Sequence, residues 1–457
     1  MTALWTAADI AAATGGTASG KFNCFGVAFD SREVGGGDLF IALTGENTDG
    51  HKFIEDAFAL GAAGALVSQP VAQPHVLVED TTAALDALGK AARARTNAKI
   101  AGVTGSVGKT GTKEALAAAL ARANRGPAHK SVKSYNNHTG VPLSLARMPA
   151  DSAFAVFEMG MNHAGELAAL TQLVRPHVAL VTAIAPAHIE HFNNIEGIAD
   201  AKGEIFQGLI PGGTAVIPFD SPYRDRLIGH AKPYAANILT FGRGDGADVR
   251  VVDEVPTRDG TMLNVILPGA DLSFTLSQPG EHWVSNSLAV LAAVKALGGD
   301  LAAAGLALSD MAGIAGRGAQ YKVKLAEGEA LLIDESYNAN PTSMTATLAV
   351  LGATPAKRRI AVLGAMRELG NESDALHAGL ADAVLAANVD YALLVGSGIE
   401  PLAKALEGKL NFAHWANADA ARGSLQKILA PGDVILIKGS NAIGLGQIVT
   451  ALTGLQA

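Results

Sequence analysis

Apolar residues recur along this chain in short blocks set between stretches of helical spacing. The blocks Leu39 to Leu43, Ala65 to Val67 and Val76 to Val78 alternate with Gly-rich turns, the pattern of a small α/β unit that ends near Asp80. An Ala-rich helical stretch, Ala83 to Arg95, leads into the strand candidate Lys99 to Thr104, a Gly-rich turn, and a helix from Thr110 to about Ala123. Further strand candidates are Phe154 to Phe157, Val178 to Ala183 and Thr214 to Ile217, separated by helical stretches such as Ala164 to Leu173 and Gly197 to Phe206. That alternation predicts a parallel sheet covered by helices. An alternating, polar section from Asp248 to Leu276 reads as a β-rich insertion, and Asn286 to Leu297 returns to helix. Beyond Arg317 the rhythm repeats, with strands at Ala330 to Ile333, Ile360 to Leu363, Tyr391 to Val395 and Val434 to Ile437.

The predicted architecture is therefore α/β in three domains: residues 1–81 a small N-terminal unit, 82–316 a central parallel-sheet domain with a nucleotide loop, and 317–457 a C-terminal domain with a mostly parallel sheet. The length of 457 residues supports this division, since one core rarely serves more than roughly 250–300 residues. Ligands of such sheets bind at the carboxyl ends of strands. Those ends here carry Glu158 and His188 in the centre, and Asp334, Glu335, Gly364 and Lys438 in the third domain.

Composition narrows the classes of function. Hydrophobic residues make up 49% and charged residues 17% of the chain, which argues for packed globular domains and against disorder. A formal charge of -8, with no Lys or Arg run, disfavours a nucleic-acid partner. Cys24 is the single cysteine, which excludes an internal disulfide and a multi-cysteine metal site and fits a reducing, cytoplasmic setting. The richest apolar run, Leu288 to Leu297, is short and interrupted by Lys295, so no membrane segment is expected. A monomer is the simplest expectation.

The sharpest chemical signal is Thr104-Gly-Ser-Val-Gly-Lys-Thr110 between strand and helix. Gly105 and Gly108 let backbone N–H groups face phosphate oxygens, together with Thr104 and Ser106. Lys109 supplies a mobile cation, and Thr110 a hydroxyl able to ligate magnesium at a helix N-terminus. The strict phosphate-loop pattern has Gly where this chain has Val103, with glycines instead at 102 and 105. Glu158, closing a strand, is a second hard oxygen ligand for magnesium. A P-loop switch or transport ATPase is the rival of another class; it would need a strand ending in Asp, where the chain offers Phe-Glu158-Met-Gly.

The departure from the strict pattern, followed by Thr112-Lys-Glu114, resembles the phosphate loop of the Mur ligases and their folylpolyglutamate synthase relatives. The resemblance runs on in order through Asp30-Ser-Arg32, Gly37-Asp-Leu-Phe40 and Asp49-Gly-His51, then Asn136-Asn137-His-Thr-Gly140, Glu158-Met-Gly160, Ala185-Pro-Ala-His188 and Ala201-Lys-Gly-Glu-Ile-Phe206. It continues through Gly280-Glu-His282 with Asn286, Asp334-Glu-Ser-Tyr-Asn-Ala-Asn-Pro341, Leu363-Gly-Ala-Met366 and Lys438-Gly-Ser440. The Tyr-Asn-Ala-Asn-Pro stretch looks like that of the member adding D-alanyl-D-alanine to a UDP-N-acetylmuramoyl tripeptide; a neighbouring Mur enzyme or a folylpolyglutamate-type ligase is the alternative.

That resemblance implies an ATP- and Mg²⁺-dependent amide ligase of peptidoglycan precursor synthesis, working through an acyl phosphate. It implies His188 as a ligand of a second magnesium, and Lys202 as a lysine carried as a carbamate that also binds metal. Asn286 would bond the adenine edge, Arg317 would close onto the γ-phosphate, and Asp334 with Glu335 would bond the ribose. Ser31, Arg32, Thr44 and Gly45 would hold the UDP end, with Asn136, Asn137 and His138 facing the sugar peptide. Lys438, Asn338 and Asn340 would receive the dipeptide. Four positions depart from the family pattern: Trp283 for Asn, Glu335 for Asp, Ala365 for Asp and Asn441 for Arg. The third residue of the tripeptide, meso-diaminopimelate or lysine, has no signature in the sequence.

Overall fold

A computed structural model describes residues 2–45, 48–123, 128–186, 189–192, 194–257 and 260–454. His188 lies outside them. Three sheets organise the chain as expected. In the first, Gly26–Ala28, Asp38–Ile41, Gly64–Val67 and His75–Leu77 run parallel, and Thr17–Ala18 adds an antiparallel edge. The inner strands Asp38–Ile41 and Gly64–Val67 are buried along their whole length, as a sheet covered on both faces requires.

The central sheet runs in the order Ala128–Lys130, Phe154–Glu158, Lys99–Thr104, Val178–Val181, Thr214–Pro218, Asn237–Gly242, Val249–Thr257, Gly260–Leu267, Ala270–Leu276. All neighbours are parallel up to Val249–Thr257, and the last two joins are antiparallel. The β-rich section is thus two hairpin joins extending this sheet. Strand Lys99–Thr104 sits mid-sheet, and the order reverses around it, so its carboxyl end opens at a topological switch point where ligands bind. Helix Glu281–Leu297 covers one face with twelve buried residues.

In the third sheet Gly328–Glu335, Asp433–Lys438, Arg358–Gly364, Tyr391–Val395 and Phe412–Trp415 run parallel, flanked by antiparallel Ala319–Leu325. Arg358 and Asp433 tie its base by two bonds, Nε to Oδ1 at 3.0 Å and Nη2 to Oδ2 at 2.7 Å. Helix Thr81–Ala94, capped by Asp80, packs Leu85 and Leu88 into the core of the first sheet together with Leu143 and Ala146 of the middle domain. The first boundary is thereby a shared core rather than a loose linker. Among the described residues no helix is long and apolar enough to cross a membrane.

Candidate active site

The loop Thr104 to Thr110 turns sharply because two glycines permit it. Gly105 has φ +151°, and a Cβ there would stand 1.9 Å from Thr182 Oγ1; Gly108 has φ +84°. Adjacent bonds lock the loop to the next strand end: Thr182 Oγ1 donates to Val107 O at 2.5 Å, Ser106 N donates to Ala183 O at 2.8 Å, and Ser106 Oγ donates to Ala185 O at 2.9 Å. The loop's backbone is therefore held by bonds within the protein, the kind of fixed donor array that favours an anion. Lys109 opens the helix Lys109–Ala123 and donates to Gly105 O at 2.7 Å. Burial, then Arg317, lowers its pKa, while Glu158 and Glu368 oppose the fall.

Thr110 and Glu158 meet beside this loop. Thr110 Oγ1 donates to Glu158 Oε2 at 2.9 Å, and Asn136 Nδ2 donates to Glu158 Oε1 at 2.8 Å. Glu158 is 1% exposed. Two hard oxygens side by side suit magnesium, whose remaining ligands come mostly from phosphate and water. Among the described residues no three His, Cys, Asp or Glu side chains gather into a metal cage, so the fit rests on this pair. Lys202, on the helix Ile195–Gly203, is 1% exposed. Burial, then the charge of Lys109, lowers its pKa well below that of an ordinary lysine.

Arg317 reaches the same place from the third domain. Its Nη2 donates to Ser134 Oγ at 3.2 Å, and Ser134 Oγ lies 3.4 Å from Thr110 Oγ1. Its guanidinium also stacks 4.2 Å from the Tyr337 ring centroid. Asn286 is buried with its amide against Gly108, where a Cβ would meet Asn286 Oδ1 at 2.7 Å. Trp283, the departure one turn earlier, packs its ring on Gly111 of the loop's helix.

The acidic pair divides. Asp334 accepts from Gly316 N at 2.7 Å, Ser336 N at 3.1 Å and Ser336 Oγ at 2.6 Å, which fixes the linker beside Arg317. Glu335 instead faces Lys438, whose Nζ stands 3.6 Å away, and burial raises its pKa. Lys438, 2% exposed, donates to Asn338 O at 2.9 Å, and burial lowers its pKa. Asn340 caps the helix Pro341–Ala353 through Ser343 N, and Asn338 Oδ1 accepts from Ala339 N. The trio assigned to the dipeptide is therefore wired into its own loop beside Glu335. Asn137 Oδ1 accepts from Gly140 N at 2.9 Å, just before the helix Gly140–Ala146, while His138 stays exposed.

A separate pocket of about 520 Å³ opens where Arg358–Gly364, Tyr391–Val395 and Asp433–Lys438 end, and Glu190 of the middle domain closes its far wall. Glu368, Ser397 and Asn417 line it. Ala365 and Ala442 line it, Asn441 precedes Ala442 in the chain, and Ser440 N donates to Ala365 O at 3.2 Å. One of the four departures, Ala365, thus lies in this wall.

In the first domain, Asp30 caps the turn Ser31–Glu33 and pairs with Arg32, whose side chain is 86% exposed. Thr44 and Gly45 follow the strand Asp38–Ile41 on the same edge. Three residues without motif signal join this domain to the centre: Lys133 Nζ and Tyr135 Oη (2.8 Å) both donate to Glu33; Ser134 lies between the two donors in the chain.

Family models match in chain order: "Mur ligase family, catalytic domain" at residues 25–123, "Mur ligase middle domain" at 103–294 and "Mur ligase, glutamate ligase domain" at 322–441. The chain is 36% identical over 439 residues to the UDP-N-acetylmuramoyl-tripeptide--D-alanyl-D-alanine ligase of Escherichia coli (strain K12), covering 93% of each. It superposes on a crystal structure of MurF from Acinetobacter baumannii with a TM-score of 0.84, 30% identity and 99% of both chains covered. With MurF ligase from Thermotoga maritima in complex with ADP the TM-score is 0.75 at 27% identity, covering 94% of this chain and 97% of that one.

Proposed function

The chain belongs to the Mur ligase family, and from that premise we propose that it joins D-alanyl-D-alanine to UDP-N-acetylmuramoyl tripeptide with ATP in the cytoplasm. The observation that carries the reading is convergence: Thr110 (next to Lys109 in the chain), Glu158 and Arg317, from two domains, meet at one sheet end through Ser134. The near full-length likeness to the Escherichia coli ligase supplies the substrates.

The tripeptide carboxylate attacks the γ-phosphorus, breaking the bond to ADP and forming an acyl phosphate. The dipeptide amine, as the free base, then attacks the acyl carbon, phosphate leaves, and one proton is released. Anionic reactants repel, so the chain must supply positive charge where the carboxylate meets the phosphate. Lys109 and Arg317, close enough for their charges to interact, do so. Magnesium, held by Thr110 and Glu158, would neutralise phosphate oxygens when bound. Asn286 orients the nucleotide, and Glu335 is the carboxylate placed for the ribose, with Asp334 fixing the linker behind it. Ser31, Arg32, Thr44 and Gly45 take the UDP end, and Asn136 and His138 line the way to Glu158.

Lys202 is a carbamate in this reading. Adding CO₂ requires the neutral amine, and burial beside Lys109 favours that form. The amine nitrogen bonds the CO₂ carbon and releases one proton; the resulting anion offsets the neighbouring cation and would add an oxygen ligand for magnesium. The dipeptide enters the pocket beside Glu190, because Glu368 on its wall is close enough to act on the charge of Lys109. Lys438 backs that pocket through its strand.

Phosphate release from ATP and UDP-muramoyl tripeptide tests the reading, with D-alanyl-D-alanine compared against single amino acids, glutamate and no amine. Release only with the dipeptide supports it. Release with glutamate, or without amine, excludes it.

A further inference from the structure

Lys113 is a buried lysine that none of these roles uses. It is 0% exposed, on the helix that begins at Lys109, four residues along and one turn below the nucleotide lysine. A buried ammonium costs free energy unless its donors are engaged. Its Nζ donates to Ser131 O at 3.1 Å and to Lys133 O at 2.7 Å, and pairs with Glu114 Oε1 at 2.9 Å.

Both carbonyls belong to one segment, residues 131–136, and every side chain of the magnesium pair is tied to it. Ser131 Oγ accepts from Glu158 N at 3.0 Å, and Asn136 Nδ2 donates to Glu158 Oε1. Ser134 Oγ stands between Thr110 Oγ1 and Arg317 Nη2. The segment turns at Lys133, whose φ of +49° is a left-handed conformation that costs a non-glycine residue free energy. Something must hold that turn, and Lys113 bonds its carbonyl directly. Lys133 and Tyr135 then point outward to Glu33 of the first domain.

We propose that Lys113 is a positioning residue for the ligation reaction: it fixes the turn 131–134 so that Ser134 holds Arg317 over Thr110 and Glu158. It touches neither nucleotide nor substrate and acts through Ser134. The inference rests on the proposed ligase reading for the meaning of those three residues. A displacement of about 1 Å in such a group can cost ~10²-fold in rate, which sets the size of the effect.

The test is a double-mutant cycle on the full chain, reading kcat, KM for ATP, the magnesium concentration giving half the maximal rate, and the thermal midpoint. Lys113→Met, which keeps the stem and removes the donors, lowers kcat by about 10- to 100-fold with KM for ATP changed less than about 3-fold. Ser134→Ala lowers kcat by about 10-fold, and the double variant is no slower than Lys113→Met, since both remove the same linkage. Lys113→Arg, retaining a cation with several donors, recovers part of the loss. A merely structural lysine predicts multiplied defects in the double variant, or loss of kcat tracking the thermal midpoint; either result overturns the proposal. Should Lys113→Met not fold, Ser134→Ala decides alone, because an unchanged kcat there removes the route through which Lys113 is argued to act. If the wild-type chain shows no dipeptide-dependent phosphate release, the reading of the reaction fails first; if it ligates while the cycle is additive, only the positioning role falls.

Discussion

Replacing Lys109 by Met separates the demands of catalysis from those of stability. The variant keeps the stem in the cleft and removes the ammonium that donates to Gly105 O at 2.7 Å. One preorganised electrostatic group is worth about 2.7–4 kcal/mol in the transition state, so kcat falls by ~10²–10³-fold. Stability moves differently. The lost hydrogen bond removes about 0.5–1.5 kcal/mol, but the folded protein disfavours this charge, since burial and Arg317 lower its pKa. A lysine with a folded pKa below its unfolded value binds fewer protons when folded. Its charge therefore opposes folding below the folded pKa, and that opposition fades as pH rises toward the unfolded value. Met relieves it, so the two effects offset and the thermal midpoint shifts by less than about 4 °C. Steady-state phosphate release gives the rate, and thermal melts at pH 7 and pH 9 give the stability, with the variant gaining most at pH 7 relative to wild type. An unchanged rate, or a rate loss matched by a melt lowered by about 10 °C or more, refutes the reasoning.

Other variants probe the remaining joints. Lys202→Ala abolishes ligation, and added formate or acetate restores a measurable fraction if a carbamate oxygen is what the alanine lacks; no recovery points to the amine instead. Glu33→Gln weakens the tie to Lys133 and Tyr135 and raises KM for the UDP substrate by about 3- to 10-fold, an effect worth the ~1 kcal/mol of such a bond, with KM for ATP unchanged. Arg358→Met leaves the carboxylate of Asp433, 2% exposed, without its bidentate partner and costs about 1.5–3 kcal/mol in denaturant unfolding. Burial holds His129 and His282 at pKa values of about 4, the latter also beside Lys438. Both are depressed below their unfolded value, so the stability they permit is present above about pH 6.5 and is lost as pH falls toward 4. Melts across that range should decline, and less so in His129→Gln; a decline of equal size in that variant counts against the assignment.

The sheets were legible because their inner strands hold unbroken apolar runs, such as Leu39 to Ile41 and Val178–Val181, bounded by glycine or polar turns. Edge strands were not: Ala128–Lys130 is three residues long, and Ala319–Leu325 carries Gln320, Lys322 and Lys324 on its solvated face. In the site, glycines and the Gly-Lys-Thr run announce themselves by chemistry at fixed spacing, and Thr110 and Glu158 meet as their strand ends dictate. Ser134, Lys133 and Glu33 had no such signal, since their roles come from contacts about 24 to 183 residues apart that only the folded chain creates. Lys113 stood inside a quoted motif, yet nothing in Thr112-Lys-Glu114 tells a buried lysine from a solvated one. Asn338 and Asn340 show the converse: polar residues in a signature stretch can serve that stretch's own turn and cap.

The most direct test of the central claim follows oxygen. UDP-muramoyl tripeptide labelled with ¹⁸O in its terminal carboxylate is converted with ATP and D-alanyl-D-alanine, and both products are weighed by mass spectrometry. An acyl-phosphate ligase transfers one labelled oxygen to phosphate for each pentapeptide formed. Phosphate without label, or label-free hydrolysis with no pentapeptide, contradicts the account.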